Sequence, residues 1–203
     1  LNLLLASAAF LMCDVANAID HPGKTLPLLS SDRFTLVEDG TPVAVVVSPT
    51  ENTAILRAAD DLVKDFERVT GRRPSLTHRP AAKSTIIIGS LDSPLIKEMV
   101  NAGKFDVSSL VGCNEKYLIQ TVVSPMEGVD EALVIAGSDR RGVVYGIYEI
   151  SEQIGVSPWY DWADVPVARQ LNLSIERGSY TAGEPAVRYR GIFLNDEAPC
   201  LTG

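Results

Sequence analysis

VRYRGIFLNDEAPCLTG, Val187–Gly203, is the stretch on which the fold reading turns. Val187 and Tyr189, followed by Ile192, Phe193 and Leu194, make a short apolar run of the kind buried on both faces of a sheet. The run ends in Asn195-Asp196-Glu197, and Pro199 cannot continue a central strand. A strand that discharges into carboxylates is how barrel folds present side chains at the C-terminal rim of their strands. The stretch therefore reads as the first strand of a further domain whose other strands this sequence does not contain. Lacking those neighbours, 187–203 is expected to be poorly anchored.

Upstream, Arg177–Pro185 reads as a linker, and a self-contained α/β unit precedes it. Leu171–Ile175 (LNLSI) is a strand, and Val156–Pro166 (VSPWYDWADVP) is a loop holding both tryptophans of the chain. In Gly137–Gly155, Ser138 or Asp139 caps a helix whose Val143, Ile147, Ile150 and Ile154 recur on one side. Gly142 and Gly146 leave a narrow groove where a strand or helix approaches closely. Lys116–Val123 and Ala132–Ala136 are strands joined by a turn-rich segment. Ser84–Gly89 (STIIIG) has the continuous apolar character of a central strand and opens toward a helix over Pro94–Ala102. A strand, Gly-Ser and a helix N-terminus suit phosphate, but GxGxxG and GxxxxGK[ST] are both missing, so no nucleotide site is read.

Asn52–Thr70 is the clearest helix. Asn52 or Thr53 caps it, Leu56, Ala59, Leu62, Val63, Phe66 and Val69 form its apolar side, and Gly71 terminates it. Asp60, Asp61, Lys64, Asp65, Glu67 and Arg68 read as a solvated face. Arg33–Val37 and Pro42–Val47 flank the turn signal Glu38-Asp39-Gly40-Thr41, giving an N-terminal hairpin or two neighbouring strands. The element order implies a small mixed-sheet α/β sandwich, because its hairpin-like connections do not suit an all-parallel sheet. The domain boundaries read as 1–18, 19–180 and 181–203.

The chain has 203 residues, 46% hydrophobic and 22% charged, an ordinary globular composition. Its net charge of −8 argues against a nucleic-acid partner, which needs clustered Lys and Arg. Leu1–Met12 (LNLLLASAAFLM) has the length of a signal-peptide h-region, and Ala16-Asn17-Ala18 offers a cleavage site, so 1–18 reads as a signal peptide and the protein as secreted. Asp14 interrupts the run too early for a membrane span. Cys113 and Cys200, left after signal removal, form either one disulfide or two thiols, and no metal-ligand spacing occurs.

Three stretches together carry a resemblance: Gly137–Val167 (GSDRRGVVYGIYEISEQIGVSPWYDWADVPV), Ala58–Pro74 (AADDLVKDFERVTGRRP) and Tyr189–Gly203 (YRGIFLNDEAPCLTG). They are similar to glycoside hydrolase family 115, the xylan α-1,2-glucuronidases. The resemblance implies an accessory α/β domain followed by a (β/α)8 barrel, of which 187–203 supplies the first strand. It further implies hydrolysis of (4-O-methyl)glucuronic acid branches from glucuronoxylan with inversion, no cofactor, and a homodimer formed through further domains. The Ala58–Pro74 helix is also similar to those preceding the barrels of family 67 and hexosaminidase-like enzymes. A non-catalytic carbohydrate-binding or docking module is the remaining alternative.

An inverting glycosidase needs two carboxyl groups about 6.5–9.5 Å apart. Asp196 and Glu197 are adjacent, so on a strand they point to opposite faces and are not that pair. Asp196 is the preferred catalytic carboxylate, lining the sugar pocket or holding water, with a plain strand-end carboxylate as the alternative. Asn195 and Glu197 are read as substrate-binding. Trp159, Tyr160 and Trp162 are read as sugar-stacking rings, or as a plug between two domains. Arg140 and Arg141 stand where the helix dipole disfavours cations, which points to a specific partner such as a carboxylate across the domain joint. His21 and His78 have no Ser or Cys partner pattern, so no nucleophilic triad is read. The fragment is expected to be inactive alone.

Overall fold

A computed structural model of the protein describes residues 32–193. The signal-like segment 1–18, His21, Cys200, Asn195, Asp196 and Glu197 lie outside them.

The elements follow the order β1 (Arg33–Glu38), β2 (Thr41–Pro42), β3 (Ala44–Val47), α1 (Thr53–Thr70), β4 (Leu76–Thr77), β5 (Ser84–Ser90), α2 (Pro94–Asn101), a 3-10 turn at Ser108–Leu110, β6 (Tyr117–Val123), β7 (Glu131–Gly137), α3 (Arg140–Gln153), α4 (Tyr160–Ala163), β8 (Leu173–Glu176) and β9 (Ser179–Ala182). They build a six-stranded sheet ordered β4-β3-β5-β7-β6-β9 and a three-stranded sheet ordered β2-β1-β8. In the larger sheet β3, β4, β5 and β7 are parallel, while β6 runs antiparallel to both β7 and β9. The small sheet is antiparallel throughout. The mixed-sheet α/β sandwich expected from the element order is the observed architecture.

The alternation of side chains along β5 explains the Ile86-Ile87-Ile88 run. Ile86 and Ile88 join a core beneath α1, α3 and the small sheet, while Ile87 faces the opposite core with α2. Both faces of the strand are covered, so it carries no polar side. In α1, Asn52 Oδ1 accepts the Ala54 N–H at 3.0 Å, and Gly71, in the left-handed region, closes the helix on Glu67 O. Between them Ile55, Leu62, Val63, Phe66 and Val69 are fully buried or nearly so. Each such burial contributes about 1.5–3 kcal/mol of gross stabilisation, so packing and not propensity holds this helix. Its sister α3 lies directly on the sheet because Gly142 and Gly146 carry no side chain. A Cβ on Gly142 would meet Lys116 O at 2.2 Å, and one on Gly146 would meet Ile135 Cγ2 at 2.8 Å. The Gly142–Gly146 groove is thus filled by strands β6 and β7.

Pro42–Val47 is not one strand. Asp39 and Gly40, both at positive φ, turn β1 into β2, after which the chain crosses and Ala44–Val47 enters the larger sheet. Pro42 explains the break, since it has no N–H for a central ladder and is tolerated only at an edge. The expected linker at Arg177–Pro185 contains strand β9. Gly178, at φ 142°, reverses the chain, and its N–H donates to Thr121 Oγ1 at 2.9 Å. Tyr180 then packs its ring 6.0 Å from that of Tyr117, whose buried hydroxyl donates to Glu149 Oε2 at 3.0 Å. Burial pushes the Tyr117 phenol far above its ordinary range.

One more expectation changes. The 156–166 loop contains the single-turn helix α4, closed by Asp164 in the left-handed region. Residues 187–193 form no strand: Tyr189, Ile192 and Phe193 are exposed, and no described strand offers them a ladder. Arg190 anchors them among the described residues, ion-pairing with Glu115 and donating to the Tyr145 hydroxyl at 3.0 Å.

Candidate functional site

Strands β3, β5 and β7 all end at one edge of the sheet, and the N-termini of α1, α2 and α3 gather there around a crevice of about 540 Å³. Ligands of open α/β sheets commonly occupy that edge. Here the backbone donors of Ser90, Arg141 and Gly142 are already committed. Glu51 accepts the Ser90 N–H at 2.8 Å, and Asp139 accepts those of Arg141 and Gly142 at 2.9 Å. Carboxylates thus sit where a phosphate would be cradled, and the Gly89-Ser90 turn serves the fold. Arg141 finds its carboxylate inside the domain, Glu115 at 3.1 Å, and not across a joint; Arg140 is exposed.

The aromatic loop makes a different surface. Ser157 leads into α4, its Oγ accepting the Trp159 N–H at 3.1 Å and its carbonyl that of Tyr160 at 2.9 Å. One helical turn therefore carries all three predicted rings and sends them different ways. Trp159 and Trp162 stand 65% and 66% exposed. Tyr160 folds inward, its ring centroid 4.5 Å beneath the Arg68 guanidinium. Behind it lies a cleft of about 300 Å³ between α1, α3 and α4, walled by Asp61, Asp65, Arg68, Tyr148, Ser151 and Asp161 among others.

Asp65 is 3% exposed and bonded to Arg68 at 2.5 Å, so this part of α1 is not the solvated face expected from its charges. The Tyr148 hydroxyl donates to Asp61 Oδ2 at 3.0 Å. Burial, reinforced by that bond to Asp61, pushes the Tyr148 phenol up to about 12. A phenol that ionises later in the folded state than its ordinary value of about 10 holds its proton in N while U has lost it. Its contribution is therefore complete below pH 10 and lost as pH rises toward about 12. In alkaline denaturation, Tyr148→Phe is expected to flatten the fall in stability over that interval. Superimposable curves for the two proteins would show that this phenol titrates normally.

Of the predicted residues, the fold brings Trp159, Tyr160 and Trp162 onto one turn, while Asn195, Asp196 and Glu197 lie outside the described residues. Sequence reading missed Asp61, Asp65, Arg68, Tyr148 and Ser151 as neighbours of the aromatic loop. Their i, i+3 and i, i+4 spacing puts them on common helix faces, but that α1 and α3 lie side by side is a tertiary fact. Among the described residues no group of His, Cys, Asp and Glu is placed to hold a metal ion. No described helix is long and apolar enough to cross a membrane.

Comparison with known proteins places this geometry. The chain is similar to a solved family GH115 4-O-methyl-alpha-glucuronidase, BtGH115A, with specificity for decorated arabinogalactans: 32% identity over 81% of the chain, at a TM-score of 0.67. It spans only 20% of that structure's chain. The resemblance to family 115 seen in the sequence is borne out by this likeness. CpGH84D shares the fold over 79% of the chain and 23% of its own, with a TM-score of 0.50 and 12% identity. None of the curated proteins matches. Residues 35–150, more than half of the chain, match the family model described as Glycosyl hydrolase family 67 N-terminus, and the chain belongs to that family of glycosidase N-terminal domains.

Proposed function

We propose that the chain is the N-terminal region of a secreted glycoside hydrolase that removes (4-O-methyl)glucuronic acid branches from xylan with inversion, and that these 203 residues alone are inactive. The observation that carries this reading is the 32% identity to a 4-O-methyl-alpha-glucuronidase across 81% of the chain. In that reading α1, α3 and the mixed sheet form a rigid accessory body, and Arg190 on Glu115 sets where the chain leaves it. Asp196 then sits at the rim of the sugar pocket. The second catalytic carboxylate comes from the larger part of the enzyme, which is why the fragment does not turn over. A second polysaccharide is favoured by a specific observation: BtGH115A acts on decorated arabinogalactans, so that backbone competes with xylan as the substrate.

The test is a release assay with glucuronoxylan and with a glucuronic-acid-decorated arabinogalactan, run on this chain and on the enzyme that contains it. The larger enzyme is expected to liberate the sugar acid from one of them, initially as the β-anomer, and this chain from neither. Turnover by the chain alone would overturn the division of labour. Release of the α-anomer would overturn inversion, and no release from either substrate would overturn the glycosidase reading. Secretion is tested by N-terminal sequencing of the exported protein, which should begin near Ile19.

A further inference from the structure

We propose that the cleft between α1, α3 and α4 binds a neutral sugar residue of a polysaccharide backbone, with the exposed faces of Trp159 and Trp162 as stacking platforms beside it. The inference rests on the carbohydrate-directed function proposed above and adds to it a site, a sugar class and a sign of charge.

Four observations converge. First, the cleft volume of about 300 Å³ lies at the small end of ligand pockets, suited to a single ring and not to an extended ligand. Second, its walls pair aromatic bodies with polar tips: Tyr148 and Tyr160 offer ring surface, and Asp61 and Asp161 offer acceptors. Sugars need that combination, since their CH faces stack on rings while their hydroxyls donate to carboxylates. Third, Ser151 in the wall is 3% exposed and its hydroxyl has no hydrogen-bond partner. Buried hydroxyls are ordinarily satisfied, and a ligand hydroxyl entering the cleft would supply what this one lacks. Fourth, two large indoles stand 65% and 66% exposed within the same turn as the cleft residues Tyr160 and Asp161.

Charge then selects among sugars. Asp61, Asp65 and Asp161 face the cleft against the single cation Arg68. Arg68 is spent twice over, on Asp65 at 2.5 Å and on the Tyr160 ring at 4.5 Å. The nearby Lys64 is held by Asp60 and Asp61 on the outer surface. Among the described residues of the cleft no uncommitted cation is left for a sugar carboxylate, so a uronic acid would meet net negative charge. The site suits the uncharged backbone and not the acidic branch. A glycosidase that grips the backbone here would hold a branched polymer while its acidic substituent is presented elsewhere.

The chain contains two tryptophans, both on this turn, so intrinsic fluorescence reports on the site directly. The experiment titrates this chain with xylohexaose, with a neutral β-galactan hexamer and with free glucuronic acid, by fluorescence and by calorimetry. One of the neutral hexamers is expected to give a saturable signal and glucuronic acid none. Trp162→Ala and Asp161→Asn, both at exposed positions, are expected to weaken calorimetric binding about tenfold each, near the upper end for a stacked ring and the lower end for a charged hydrogen bond. No saturation with either hexamer, equal binding of glucuronic acid, or affinity unchanged in both variants would overturn the site. Sugar-acid release by the larger enzyme, assayed alongside, separates the two readings. Release without cleft binding sinks the cleft alone, whereas cleft binding without release leaves a carbohydrate-binding domain and sinks the hydrolase.

Discussion

Gly142→Ala is expected to destabilise the domain by about 3 kcal/mol or more, well beyond the usual effect of one added methyl group. The reason is what the new Cβ would meet. Lys116 O lies 2.2 Å from its position and Lys116 C 3.0 Å, and these are backbone atoms at the start of β6. That carbonyl cannot swing aside freely, because it also accepts the Ser138 N–H at 2.9 Å. Relief would require α3 to lift from the sheet, and α3 buries Val143, Ile147 and Ile150 against it. For a domain of this size, about 3 kcal/mol corresponds to a fall in Tm of roughly 6–12 °C. Gly183→Ala is the control, since nothing stands within 4 Å of its Cβ position, and it should melt with the parent. Circular dichroism melts of the three proteins decide the matter. A Gly142→Ala midpoint within 2 °C or so of the parent would mean that the helix–strand contact is looser than drawn.

The same glycine shows how much of the fold was legible in the sequence. Gly142 and Gly146 are four apart on a helix, and close approach follows from the missing side chains. Which element approaches does not follow, and Lys116, twenty-odd residues upstream, gives no local sign of it. Helix α1 was legible almost to the residue, because its cap at Asn52, its apolar face and its stop at Gly71 are local chemistry. The Ile86–Ile88 strand was equally plain, since burial on both faces leaves a continuous apolar run. The failures fall where tertiary partners decide. Ser179–Ala182 is four residues of weak pattern after a Gly-containing turn, and it becomes a strand because β6 presents an open edge. Pro42 marks the change of sheet only once one knows that two sheets exist. At the candidate site the aromatic trio could be read from composition. Asp65 could not, because an Asp among Asp60, Asp61 and Lys64 looks solvated until Arg68 and Tyr160 close over it.

That closure makes α1 answerable to both the core and the cleft, and Phe66 is where the dependence is greatest. Its ring is fully buried between the helix and the sheet, in the cluster that includes Ile86, Ile88 and Leu62. Asp65 precedes it on the outer side and Arg68 follows two positions on, so the helix turn that seats the ring also aims the ion pair. Phe66→Ala removes the transfer energy of the ring and leaves a cavity that stiff β-branched neighbours cannot fill. The expected loss is about 3–5 kcal/mol. Phe66→Leu keeps most of the volume and is expected to cost less, about 1.5 kcal/mol. Urea unfolding of both variants should move the midpoint while leaving the slope unchanged, because the surface exposed on unfolding is nearly the same. A Phe66→Ala loss below that of Phe66→Leu would contradict the buried position. A changed slope would mean instead that α1 had already come away from the sheet before the domain unfolds.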